Sequence, residues 1–484
     1  MNPTTIMYIG IGAFLAGMAV IGFFASRKTT SLESFAVAGR SFGPLLIAII
    51  ITSTYGSASS YLGVGGLAFK AGWPMMWIWV GCLWGIILPI LLLGPKMRMA
   101  SSALGATTMP DFLGKRYSSK FLRAFVAIGT IAFYTGNMVA QFKGVGVLLG
   151  TVLDIDFSVA VIVFGLVITL YCAAGGLFAV GWTDMGQGLF MTLIVLILVP
   201  VSIHASGGLA EMNSRLMAIG PEMTKVFGNG YTPLLALFIV VFYSLLQMGQ
   251  PNIGARFFAL KNVKDFKKVV FYVLIGTVIM SSVCWGGFAA RILYPDIAGD
   301  YAIPTMIMNH FPIILAVIAA VGIMSAMMTT IDGLLHCIST SIGIDLVRDT
   351  FRVKLSEKKI LLITRLATIF MGTLAIVFTL YYSPEFLSLL VFGALAGVAS
   401  ITVGPIIAGV LDRKVTRAGA ITGAVVGEAV FLLLLTTTNL SIFHIGAPCL
   451  VLNIFLTVVV SRFVGKPDED MGKLLFPERN KVAA

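Results

Sequence analysis

The chain has 484 residues, of which 58% are apolar and only 11% charged, with a mean hydropathy of +0.98. Globular domains carry about a quarter charged residues, so these proportions exclude an ordinary soluble domain and point to a polytopic helical membrane protein. The formal net charge of +12 is no nucleic-acid signal, because the basic residues fall in short loops between apolar runs, where they set orientation.

In chain order, about thirteen runs are apolar and long enough to cross a bilayer. The first, 4–25, is followed rather than preceded by charge, at Arg27 and Lys28. It reads as a first span and not as a cleaved signal peptide. The second lies within 39–66, and the third is 73–94. The next are 121–150, 157–174, 182–206, 231–258, 269–293 and 312–347. The last four are 360–382, 386–411, 418–437 and 442–464. Alternate loops are basic. They hold Arg27, Lys28 and Arg40, then Lys96, Arg98, Lys115, Arg116, Lys120 and Arg123. Next come Arg256, Lys261, Lys264, Lys267 and Lys268, then a group from Arg348 to Lys359, and last Arg413, Lys414 and Arg417. The opposite loops hold little: Lys70, Arg215, Lys225 and Arg291. This bias places the N-terminus outside and the C-terminus inside a cell (inner) membrane. The five cysteines lie inside apolar runs without CxxC spacing, so neither a metal site nor a disulfide framework is expected.

Two spans are interrupted. In the second, Thr52, Ser53, Thr54, Tyr55, Gly56, Ser57, Ser59 and Ser60 stand where a lipid-facing helix would carry Leu or Val. Unwound backbone survives in a bilayer only where it lines a cavity, and small hydroxyls and glycine suit such a break. A packing face of small residues is the plainer alternative. In the seventh, Gln247, Gly249, Gln250, Pro251 and Asn252 interrupt the run. Pro251 removes a backbone donor there, or merely kinks a helix end. The two breaks stand five spans apart, as expected for two inverted five-helix repeats with the binding site at their breaks.

The ninth span carries Ser325, Thr329, Asp332, His336 and Ser339 at spacings of four, three, four and three. That puts them on one helix face, and such a stripe faces the bundle interior or water. The hydroxyls and His336 also suit interhelical hydrogen bonds, whereas an ionisable Asp332 in a span marks a functional site.

The motifs GRSFG (39–43), GGLFAVGWTDMGQ (175–187), GQPNIGARF (249–257) and MTTIDGLL (328–335), followed by Asp345, occur in order. Together they resemble the sodium:solute symporter family, over about 39–424. The resemblance implies an all-α LeuT-type inverted-repeat core of thirteen transmembrane helices working by alternating access. It divides the chain into 1–42 (first helix and loop), 43–411 (core, with repeats 43–206 and 231–411) and 412–484 (two accessory helices and tail). It implies Na+ as the coupling ion, held by carbonyls of Ser53, Gly56 and Ala326 and hydroxyls of Thr329 and Thr330. Oxygen ligands from unwound backbone suit such a cation. Some members hold a second sodium through the Asp of WTD, here Asp184, and three hydroxyls. The matching positions here are Thr329, Asp332 and Gly333, so a carboxylate replaces a hydroxyl. Asp184 and Asp332 are therefore candidates for a second sodium or proton site, with Asp184 alternatively an N-cap and His336 a proton-relay partner of Asp332.

Candidate substrate-facing residues are Tyr55, Ser57, Ser60, Asn137, Gln141, Lys143, Gln247 and Gln250. Lys143 lies inside the fourth span, where it either faces a substrate carboxylate or snorkels to the outer interface. Tyr55 stands where the proline carriers resembled here have an Asp, and the surrounding segments look closer to the pantothenate and monocarboxylate branch. The leading expectation is therefore a sodium-coupled symporter for a small carboxylate in a lipid bilayer, with a proline carrier or a proton-coupled carrier as alternatives. No obligate protein partner is evident. A channel would need rings of charge or carbonyls. An enzyme would need a constellation that His204, His310, His336 and His444 do not form.

Overall fold

A computed structural model describes residues 3–27, 29, 31–381 and 387–475. Lys28 and the expected span edges at Tyr382 and Phe386 lie outside these. Among the described residues there is no β-strand, only two isolated bridges.

The chain opens with α1 (Pro3–Ser26). The broken second span follows as α2 (Pro44–Tyr55) and α3 (Val64–Ala71), the latter entered through a π-helical turn at Ser59–Gly63. Next are α4 (Met76–Leu88), α5 (Lys120–Leu153) and α6 (Phe157–Ala205). The second broken span is α7 (Pro233–Leu246) and α8 (Pro251–Ala259), followed by α9 (Phe266–Ser281) and α10 (Ile313–Thr340). The last long helices are α11 (Glu357–Tyr381), α12 (Leu387–Leu411), α13 (Arg417–Thr437) and α14 (Ile442–Phe463). Side-chain caps mark several starts. Ser119 accepts from Leu122 N–H, Asp156 from Ser158 N–H, and Thr232 from Leu235 N–H just ahead of Pro233. Each cap satisfies an orphan first-turn donor.

Among the described residues, ten helices are long and apolar enough to cross a membrane, or up to twelve with each bent pair taken as one span. The count of thirteen differs because the fifth and sixth expected spans run together in the 49 residues of α6. At 1.5 Å per residue such a helix would be roughly 74 Å long, more than twice the hydrocarbon thickness. It is interrupted at Gly176, whose φ of 53° and ψ of −152° are non-helical. Phe35 packs on Gly176 where a Cβ would stand, so only glycine combines this backbone with that contact.

The two ends of the bundle are tied differently. At the basic end, Phe42 N–H donates to Ala259 O at 3.1 Å and Lys261 N–H to Phe42 O at 2.9 Å. Arg40 reaches Ala106 O at 2.8 Å, Arg116 reaches Gly409 O at 2.8 Å, and Arg365 reaches Ala174 O at 3.1 Å. At the other end, Trp73 Nε1 donates to Asn213 Oδ1 at 2.8 Å and Asn229 Nδ2 to Ala71 O at 2.9 Å. Between them lies α10, packed against α5 and α6. Every residue of α10 from Ala319 to Thr340 is buried. A helix buried all round is the centre of a bundle, so its polar stripe cannot face lipid. The last pair, α13 and α14, packs on α12 through Asn453, which accepts from Gly404 N–H at 2.6 Å and donates to Gly423 O at 2.7 Å.

Candidate functional site

Both sequence breaks are real bends. Pro44–Tyr55 and Ser59–Ala71 meet at 60°, and Pro233–Gly249 and Pro251–Ala259 at 54°. Freed backbone groups in a membrane must be re-satisfied, and side chains do this at both breaks. At the first, Ala58 N–H donates to Gln141 Oε1 at 2.8 Å, and Gln141 Nε2 donates to Asn137 Oδ1 at 3.0 Å. Ser60 Oγ donates to Tyr55 O, and Ser57 and Ser59 share a hydroxyl bond of 2.8 Å. At the second, Gln250 Nε2 donates to Leu246 O at 3.1 Å and Leu395 O at 3.0 Å. The Tyr134 hydroxyl lies 3.0 Å from both Gln250 Oε1 and Asn252 Oδ1.

The first bend turns carbonyls toward α10. Thr329 Oγ1 donates to Ser53 O at 2.9 Å and Ala326 O at 3.0 Å. Thr330 Oγ1 donates to Gly56 O at 3.3 Å and Ala326 O at 3.1 Å. Five oxygens from Ser53, Gly56, Ala326, Thr329 and Thr330 are thus assembled, with no nitrogen or sulfur donor in the set. Hard cations take such oxygen sets, and transporter breaks supply them. Gly56 sits against the Met191 Cε methyl and near Ser53 O where a Cβ would be, so a larger residue there would displace the end of the Met191 side chain.

Beside this cluster is a cavity of about 70 Å³, bounded by both breaks. Tyr55, Ser57, Ser60, Asn137, Gln141 and Gln247 line it, as does Thr330. Gln250 does not line it, being spent on the second break. Lys143 does not line it either. It lies within electrostatic reach of Asp300, which sits in the turn Gly299–Tyr301. Burial pushes the Asp300 carboxyl up, and the charges of Lys70 and Lys143 act against that. Sequence reading passed over Trp79, Asn252, Tyr243 and Phe392, which also line the cavity. Asn252 carried a signal, since it belongs to the second break. The aromatic residues carried none, because such residues in apolar runs read as bulk.

A third cluster lies further along α10. Asp332, Asp184 and Arg256 are all fully buried. Tyr171 donates its hydroxyl to Asp332 Oδ2 at 3.0 Å. Asp332 Oδ1 and both Asp184 carboxylate oxygens have no hydrogen-bond partner among the described residues. Arg256 Nη1 donates to Asn252 O at 2.9 Å and Nη2 to Thr54 Oγ1 at 3.2 Å. A Cβ at position 333 would lie 2.6 Å from Arg256 Nη2, so Gly333 makes room for the guanidinium. Arg256 therefore corrects the sequence reading, which counted it among loop charges. It is buried on α8, held by Asn252 O and Thr54 Oγ1 and within electrostatic reach of Asp184 and Asp332, with no ion pair of 4 Å or less to either among the described residues. His336 is held by Ala36 O at 3.0 Å from Nε2, the structural alternative foreseen for it.

The sequence pattern of the sodium:solute symporter family matches residues 35–427. The chain belongs to the sodium:solute symporter family. This symporter is 27% identical over 476 residues to the osmoregulated proline transporter of Bacillus subtilis, covering 95% of each chain. It is 29% identical over 463 residues to the sodium/pantothenate symporter of Haemophilus influenzae, covering 92% of this chain and 93% of that one. Its fold matches the substrate-bound, outward-open structure of a Na+-coupled sialic acid symporter with a TM-score of 0.83 at 17% identity, over 96% and 98% of the two chains. It also matches Mhp1, a nucleobase-cation-symport transporter, with a TM-score of 0.56 at 12% identity, over 91% and 97%. The all-α fold is thus of the LeuT type, in a multi-pass membrane protein. Sodium is the coupling ion of this family, and the curated relatives named here are transporters.

Proposed function

We propose that this symporter imports a small carboxylate-bearing solute, of the pantothenate or monocarboxylate type, by alternating access. Residues 43–206 and 231–411 are read as its two inverted repeats. The oxygen cluster of Ser53, Gly56, Ala326, Thr329 and Thr330 is its sodium site. One observation carries this reading: Thr330 both lines the cavity and reaches Gly56 O. An ion held there reinforces the wall that the solute touches, and the solute reinforces the ion site, which is reciprocal coupling.

The chemistry of the cavity supports an anionic solute. None of the described residues lining it is Asp, Glu, Lys or Arg. A bound amine would meet no carboxylate. A bound carboxylate would meet the one hydroxyl donor that the Ser57–Ser59 pair leaves free, the amides of Asn137 and Gln247, and the field of the neighbouring sodium. The volume of about 70 Å³ suits a compact solute. Lys143 is assigned to the outer rim rather than to the solute. Lys143→Met is accordingly expected to leave the half-saturation concentration within about fivefold, the most a screened surface charge contributes. The assay is uptake into proteoliposomes under a sodium gradient, with pantothenate, short monocarboxylates and proline as competitors. Competition by proline alone would overturn the pantothenate or monocarboxylate reading in favour of an amino acid.

The second reading concerns Asp184 and Asp332. Two buried carboxylates against one guanidinium leave one negative charge uncompensated, which is costly in a dry interior. The pair therefore takes one further positive charge, a second sodium ion or a proton.

The orientation proposed is N-terminus outside and C-terminus inside, on the bias of the basic loops. A fluorescent protein fused at the C-terminus should fluoresce and an alkaline phosphatase at the same place should be inactive. The reverse pair of results would invert the topology.

A further inference from the structure

A groove opens on the bilayer-facing surface between α2, the second half of α6 and α9. It holds about 210 Å³ and is walled by Leu45, Ile49, Tyr272, Ile275 and Ile279, reaching Ser53. Leu45 is 54% exposed and Ile275 48% exposed, so the mouth faces hydrocarbon and not another helix. One end of the groove is basic. Positions 268, 272, 275 and 279 are spaced four, three and four, which puts Lys268 on the groove face one turn ahead of Tyr272. The Lys268 side chain is 65% exposed and 3.1 Å from Asp265. Lys261 is exposed and is held beside the start of α2 by the bond from its N–H to Phe42 O. Lys264 and Lys267 flank them, so 261–268 carry four lysines against one Asp, a net +3.

We propose that this groove binds one anionic phospholipid, with an acyl chain along Leu45, Ile49, Ile275 and Ile279 and the phosphate of its headgroup at Lys261 and Lys268. The observations fit that occupant on two counts. An apolar groove open to the bilayer is filled by acyl chain, and basic residues at its interfacial end select anionic headgroups. The site has a consequence for transport. Helix α2 packs so closely that a Cβ at Gly188 would lie 3.0 Å from Ser53 Oγ, and one at Gly276 2.6 Å from Thr52 Cγ2. A chain lying along α2 holds it against α6 and α9, and thereby holds the Ser53 carbonyl in the oxygen cluster. Lipid binding itself does not depend on the identity of the solute.

The test is native mass spectrometry of the purified full chain, titrated with phosphatidylglycerol and separately with phosphatidylcholine of the same acyl chains. One phosphatidylglycerol should be retained more tightly than phosphatidylcholine. Lys261→Gln with Lys268→Gln should weaken phosphatidylglycerol by about fivefold per lysine and leave phosphatidylcholine unchanged. Ile275→Trp, which fills the groove mouth, should weaken both. On the wild-type chain, a photoreactive acyl chain should label residues within 44–55 or 266–281. Equal retention of the two lipids, or labelling confined to other helices, overturns the proposal.

Discussion

Thr329→Ala and Thr330→Ala are each expected to raise the sodium concentration for half-maximal uptake by roughly 10- to 150-fold. That range follows from about 1.5–3 kcal/mol for a polar bond to a charged group. Both residues are almost fully buried, at 0% and 5% exposure, and Thr329 does not line the cavity, so water does not readily replace its lost ligand. The two variants should differ in a second respect. Thr329 bonds the carbonyls of Ser53 and Ala326 and does not line the cavity, so its loss should leave solute affinity at saturating sodium nearly unchanged. Thr330 also lines the cavity, so its loss should weaken the solute as well. Serine at either position restores the oxygen and should recover most of the sodium dependence. Unchanged sodium dependence in both alanine variants would show that the ion binds elsewhere.

Arg256→Met should markedly destabilise the bundle. It takes donors from Asn252 O and Thr54 Oγ1 and removes the positive charge within electrostatic reach of Asp332 and Asp184. Leaving buried polar groups without their hydrogen-bond donor costs about 1–3 kcal/mol, and the loss of the nearby positive charge adds to it. The expected result is a marked drop in the thermal stability of the detergent-solubilised protein. Adding Asp332→Asn should recover part of that loss, because it removes a charge the methionine cannot balance. Lysine should serve poorly, since it lacks the planar fork that spans two acceptors. A stable Arg256→Met variant, unimproved by Asp332→Asn, would mean that the guanidinium does not neutralise the pair.

The breaks were legible because Gly, Pro and hydroxyl residues in an apolar run have few other uses. The stripe from Ser325 to Ser339 was legible because its spacing fixes one face. The pairing of Ser53 and Gly56 with Thr329 and Thr330 came from family resemblance, since no periodicity within one helix says which other helix it meets. Gln141 and Gln250 show what polarity alone cannot decide. A glutamine beside a break serves either a solute or the orphaned backbone, and both of these bond backbone groups at the breaks. Lys143 shows the same limit in direction: its place in the run gave depth, not the side to which the ammonium turns. Arg256 followed an interrupted span and preceded four lysines, so it read as part of a basic loop. Its partner Thr54 lies on a helix distant in sequence, which no local pattern reveals.

The most direct measurement of the central claim is equilibrium binding of radioactive sodium to the purified protein, in the wild type and in a Thr329→Ala/Thr330→Ala double variant. The expected result is saturable binding in the wild type, tightened by the solute, and the loss of one sodium ion per chain in the double variant. Equal sodium counts and affinities in the two proteins would contradict a sodium site built from α2 and α10.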